Sequence, residues 1–132
     1  LSFVLFINPR SFKMRKLFLA LTLVSGLAVA SPFNGHWATS PKACKANTEQ
    51  LNGGQFNVTI TSRIVILLGW NFFRLERVEE VLKSNNHNFI YSGEYMEQWD
   101  TDESNGVVDT NWTLNNGVLK SANSHIKFRK CK

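Results

Sequence analysis

Phe89, Tyr91, Tyr95 and Trp99 share one parity with Gly93 between them, so an extended chain presents all four rings on one face. Rigid aromatic faces give large contact area, which suits an apolar ligand or a sugar ring. A hydrophobic core uses the same spacing, but two tyrosine hydroxyls need partners and tilt this face toward a rim or pocket. Catalytic chemistry has thinner support. His36, His87 and His125 are scattered, and no zinc-protease, serine-hydrolase or Cys/His nucleophile pattern is present. Glu94, Glu97 and Asp100 could act as paired carboxylates, yet so short a chain offers little substrate cleft. The Asp100–Gly106 run alternates oxygen ligands, but its glycine is one place late for a calcium loop and its twelfth position is Asn111. We therefore expect no enzyme, no catalytic residues, no metal and no cofactor.

The chain has 132 residues and a formal charge of +5, which allows one domain and raises the question of an acidic partner. Met14, Arg15 and Lys16 precede an apolar run from Leu17 to Ala30 that ends Ala28-Val29-Ala30. This is the order of a signal peptide, and the run is short of the ~20 residues a membrane span needs. The expectation is a doubtful upstream extension at 1–13, a cleaved signal peptide at 14–30 and a single β domain at 31–132. That domain keeps eleven basic and ten acidic residues, a formal charge of +1, and the case for nucleic acid loses its support. Charge is instead uneven along the chain. Nine acids lie in 76–109, whereas Lys120, Lys127, Arg129, Lys130 and Lys132 close the chain without one. In a compact barrel or sandwich these segments can lie side by side and neutralise each other. Export also places Cys44 and Cys131 where disulfides persist, and a single pair has one connectivity.

Those side chains need strands to hold them. From Phe56 to Leu68 the even positions are mostly apolar, the period of a strand that bends or turns near Thr61 to Arg63. Asn88 to Trp99 reads as a second unit, and Val108, Thr110, Trp112 and Leu114 lead through Asn115-Asn116-Gly117 into a returning strand with Ile126 and Phe128. Asn34-Gly35, Asn52-Gly53-Gly54, Ser92-Gly93, Asn105-Gly106 and Asn116-Gly117 are turn signals. Segment 71–83 is open between two readings: Phe72, Leu75, Val78 and Leu82 have helical spacing, but the stretch also reads as a strand turning through Ser84 to Asn88. The fold class is all-β, a small antiparallel barrel or sandwich of meander type, with one short helix at 71–83 as the open alternative.

Gly35-His36-Trp37 near the start of the β domain and Phe128-Arg129-Lys130-Cys131 at its end resemble the calycin-like barrels, the lipocalins and their relatives. The chain is also similar to short exported bacterial proteins with G-x-W, a cysteine some residues on (Cys44), a late W-x-L (Trp112 to Leu114) before a glycine turn, and a terminal basic-Cys pair. The resemblance implies a closed antiparallel fold in which Gly35 and Trp37 open the first strand and Arg129 or Lys130 packs across the tryptophan. Ser92-Gly93-Glu94-Tyr95 resembles, one residue short, the serine loop of exported lysozyme inhibitors. Two readings of function follow. One is an exported, periplasmic or secreted, non-enzymatic module binding a small apolar or carbohydrate ligand through Phe89, Tyr91, Tyr95 and Trp99. The alternative is a protein-binding inhibitor of an envelope protein, acting through loops at Ser84–Asn88, Ser92–Tyr95 or Asp100–Gly106. Neither calls for nucleic acid or for a membrane anchor after signal cleavage.

Overall fold

Alternation of apolar and polar residues resolves into eight antiparallel strands, each hydrogen-bonded to its sequence neighbour, with the last closing onto the first. The computed structural model describes residues 31–132; the segments 1–13 and 14–30, expected to be an upstream extension and a signal peptide, lie outside the described residues. The strands are β1 (Gly35–Ala38), β2 (Asn57–Ile60), β3 (Ile64–Gly69), β4 (Phe72–Ser84), β5 (Asn88–Trp99), β6 (Asp102–Asn115), β7 (Val118–Ser121) and β8 (Phe128–Lys130). This is a closed up-and-down barrel, an architecture shared by the calycin-like barrels. The barrel is uneven: β4, β5 and β6 have 12 to 14 residues, against 3 to 6 in the other strands.

The run from Phe56 to Leu68 divides into β2 and β3. Thr61 makes the corner, its hydroxyl accepting from the amides of Arg63 and Ile64. Cross-strand partners share a face, so pairing Ile60 with Val65 hands the inward position from even to odd residues. Val58, Ile60, Val65 and half-buried Leu67 therefore meet in the core, while Ile64, Ile66 and Leu68 lie on the other face of β3, a correction to the single even-numbered face. Segment 71–83 is strand, not helix. Its inward residues are Phe72, Arg74, Glu76 and Val78, so two charged side chains occupy positions where alternation would show apolar ones. Register shifts between Val78 and Glu80 and between Val81 and Lys83 then scramble the remaining period.

Ser92-Gly93 and Asn105-Gly106 are not turns; both lie within long strands. Gly93 faces the first bulge of β4, and a Cβ built there would sit 1.7 Å from the Arg77 carbonyl oxygen, so no larger residue fits without moving backbone. Asn116-Gly117 does turn, joining β6 to β7 with positive φ at both residues.

Phe33, fully buried just before β1, stops the end of the barrel at which β1 begins; its carbonyl accepts the Trp37 indole N–H at 3.0 Å and its ring lies 5.9 Å from that of Phe89. The long β1–β2 connection instead folds over the outside of the wall. A 3-10 turn (Lys42–Lys45) brings Ala43 against Ala38 and Leu51, with Cys44, Ala46, Leu68 and Cys131 packed around them. The Cys44–Cys131 disulfide fastens it, joining residues 87 apart in sequence. Buried Asn57 donates to the carbonyls of Ala43 and Ala46, and His36 Nε2 donates to that of Cys44 at 2.6 Å while Nδ1 contacts Thr59 Oγ1. A disulfide in this place fits an oxidising compartment. No helix of the described residues is long and apolar enough to cross a membrane.

Candidate functional site

The registers of β4, β5 and β6 stack inward-facing residues in rows. At the end opposite Phe33 stand Phe72, Trp99 and Asp102; below them come Arg74, Glu97 and Ser104, then Glu76, Tyr95 and Gly106, then Val78, Gly93 and Val108. Deepest are Tyr91 with Thr110 and Phe89 with Trp112. The four aromatic residues read from the sequence do share the inward face, but they fall into two pairs on either side of Gly93. Phe89 and Tyr91 are core, Tyr91 with no exposed surface and its ring 4.9 Å from that of Phe89. Tyr95 is half-buried, and Trp99 is 59% exposed, its ring edge-on to Phe72 at 5.2 Å. Trp70, also exposed, sits in the β3–β4 turn at the same end, and the Asp100 amide of the β5–β6 turn donates to the Asn71 carbonyl at 2.8 Å.

A polar chain joins the two pairs, and it is what the sequence reading missed. The Tyr91 hydroxyl donates to Glu76 Oε1 at 2.5 Å and accepts the Trp112 indole N–H at 3.1 Å; Thr110 donates to the same carboxylate oxygen at 3.2 Å. Arg74 Nε donates to Glu76 Oε2 at 2.7 Å and its Nη1 to Glu97 Oε1 at 2.8 Å, with the guanidinium 4.2 Å from the Tyr95 ring centre. Glu97 Oε2 lies 3.5 Å from Ser104 Oγ. Burial, and then the neighbouring Glu76 carboxylate, push the Tyr91 phenol well above its ordinary value, so it remains a donor. Burial works against the Arg74 charge, but its hydrogen bonds to Glu76 and Glu97 prevail and raise its pKa. Arg74 and Glu76 stand two residues apart, the inward period of a strand, and that spacing is the signal that could have found them.

The remaining sequence-read residues fall elsewhere. Lys130, rather than Arg129, reaches across Trp37, with Nζ 5.4 Å from the ring centre; Arg129 is exposed, paired with Ala38 and Val118. A Cβ at Gly35 would lie 2.7 Å from Lys130 Cε, and φ there is +140°, so the glycine clears the path of the lysine stem over the tryptophan. Ser92 and Tyr95 lie inside β5, so the inhibitor-like serine loop does not form. Likewise Asp100–Gly106 is a two-residue turn followed by the start of β6. His36 anchors the outer loop, His87 lies in the β4–β5 turn and His125 between β7 and β8. Nor does the basic C-terminal strand neutralise the acidic segment: β8 pairs with β1 and β7, and the ion pairs of the described residues run from Arg74 to Glu76 and Glu97 and from Arg77 to Glu79 and Glu94.

Comparison with protein-family models, with curated proteins and with solved structures finds no match to this chain.

Proposed function

We propose that this barrel is an exported, calycin-like, non-enzymatic binding module that takes a carbohydrate at the end carrying Trp99, not an apolar ligand in a deep cavity. The observation that carries this reading is the division of the aromatic face at Gly93. Phe89 and Tyr91 are consumed by the core, whereas Tyr95 and Trp99 stand at the rim beside Glu97, Arg74 and Ser104. An apolar guest entering there would strip water from charged groups without replacing its hydrogen bonds, which is unfavourable. A sugar offers an apolar ring face to the indole and hydroxyls to the carboxylate and serine. The disulfide and the wrapped β1–β2 loop support work outside the cytosol, in the periplasm or beyond the cell.

The test is calorimetric titration of the disulfide-bonded protein with a panel of neutral and amino sugars and, in parallel, a fatty acid. The expected result is saturable binding of a sugar that Trp99→Ala weakens by about 2 kcal/mol, roughly 30-fold, as for a central aromatic contact. Binding of the fatty acid with no response to sugars refutes the carbohydrate reading.

A further inference from the structure

β6 is longer than the strand that covers it. Its Trp112–Asn115 segment pairs with β7, and the Ala122 amide donates to the Asn111 carbonyl, but Asp102–Thr110 has no strand on that side among the described residues. A strand points the amide and carbonyl of alternate residues to the same side. Since Asn111 faces β7, Glu103, Asn105, Val107 and Asp109 turn their backbone groups outward along this edge. On the other side the pairing with β5 runs unbroken from Asp102 to Thr113, so the edge is straight. All four outward residues are exposed, Val107 at 80%.

A second open edge, on β4, makes a useful contrast. β4 extends past its last partner in β3, but there two bulges and the mixed charges of Glu79, Glu80 and Lys83 interrupt the edge, the usual protection against strand addition. The β6 edge has no bulge. Its charges are of one sign, and they select the partner. Antiparallel pairing with a second copy centred on Gly106 would set Glu103 directly against Asp109, acid against acid, which disfavours that register of self-association.

We infer that the β6 edge from Asp102 to Asp109 receives an extended basic peptide of a partner protein, added as a further strand. The peptide carries basic residues opposite Glu103 and Asp109 and an apolar residue opposite Val107; main-chain hydrogen bonds supply the affinity and the alternating side chains the selectivity. This edge is distinct from the inward face that carries Trp99, and the inference does not depend on carbohydrate binding.

The test uses the disulfide-bonded protein and a synthetic peptide of that alternating pattern, with an acidic peptide and a basic peptide of scrambled order as controls. Binding is followed by fluorescence anisotropy and by amide hydrogen exchange resolved by NMR. The patterned basic peptide should bind saturably and slow exchange at Glu103, Asn105, Val107 and Asp109, but not at the intervening residues already bonded to β5. Val107→Pro, which removes one outward N–H, should weaken binding at least tenfold. Glu103→Lys with Asp109→Lys, at exposed side chains, should transfer preference to the acidic peptide, and serves if the proline variant misfolds. Equal binding of the scrambled peptide, or binding without new protection at the four amides, would mean general attraction to acidic surface and overturn the inference. So would no saturable binding.

Discussion

Replacing Tyr91 by Phe removes one oxygen atom from the buried interior of the barrel and disturbs two groups. Glu76 Oε1 loses its shortest donor and retains Thr110; the Trp112 indole N–H loses its acceptor. A hydrogen bond to a charged group contributes about 1.5–3 kcal/mol, and an indole donor left unpaired in the core costs about 1–3 kcal/mol. Tyr91→Phe should therefore destabilise by about 3–5 kcal/mol, a large share of the roughly 5–15 kcal/mol expected of a domain. Urea unfolding followed by tryptophan fluorescence would measure it, with the midpoint falling at unchanged slope. Glu76→Gln supplies the partner variant: its amide can still accept from Tyr91, but its NH2 then faces the Arg74 donor. If the two groups act on one another as the geometry says, the double variant should lose about 1–3 kcal/mol less than the sum of the singles. Strict additivity, or a Tyr91→Phe cost below about 1 kcal/mol, would refute the view that this network organises the interior.

Further outcomes follow from the same structure. Reducing Cys44–Cys131 opens a loop closed across 87 residues and should cost about 4–5 kcal/mol in the chain-entropy account, releasing the Lys42–Lys45 turn first; unfolding with and without reductant checks this. Gly93→Ala must push the β4 backbone aside and should destabilise by about 2–3 kcal/mol or block folding, read by thermal melts against Gly106→Ala, where a Cβ would meet only the Tyr95 side chain. Tyr91 has a folded pKa raised above its unfolded value near 10.0, so its contribution is complete below that pH and is lost as pH rises beyond it, while the unfolded chain ionises and the folded chain does not. Alkaline unfolding monitored by tyrosinate absorbance should show one tyrosine appearing only with loss of structure, a component that Tyr91→Phe removes.

The sequence revealed the fold class because most strand positions obey alternation, and it revealed the disulfide because two cysteines allow one pairing. It did not reveal the two halves of the barrel. No motif in the sequence singles out Arg74 and Glu76, and only the register of β4 against β3 and β5 turns them inward, where each neutralises the other. The same two residues, with the bulges after Val78, made 71–83 resemble a helix. The aromatic face was legible as a face, but not its division. Parity says which residues look inward; it does not say how far down the barrel each one lies, and that depth separates Tyr91 from Trp99. Asn-Gly and Ser-Gly pairs misled in the middle of β5 and β6, where glycine serves close packing against Arg77 and Tyr95 instead of a turn.

The most direct measurement is a sugar titration followed by the indole N–H resonances of Trp37, Trp70, Trp99 and Trp112, the four tryptophans of the chain. Two of them, Trp37 and Trp112, are buried with their N–H groups bonded to Phe33 and Tyr91, and two are exposed at the rim end. Binding at the rim predicts that Trp99 moves in a saturable way, with Trp70 the nearest candidate to follow, while Trp37 and Trp112 stay in place. Movement of the buried pair, or a saturated complex that leaves Trp99 unmoved, would contradict the account.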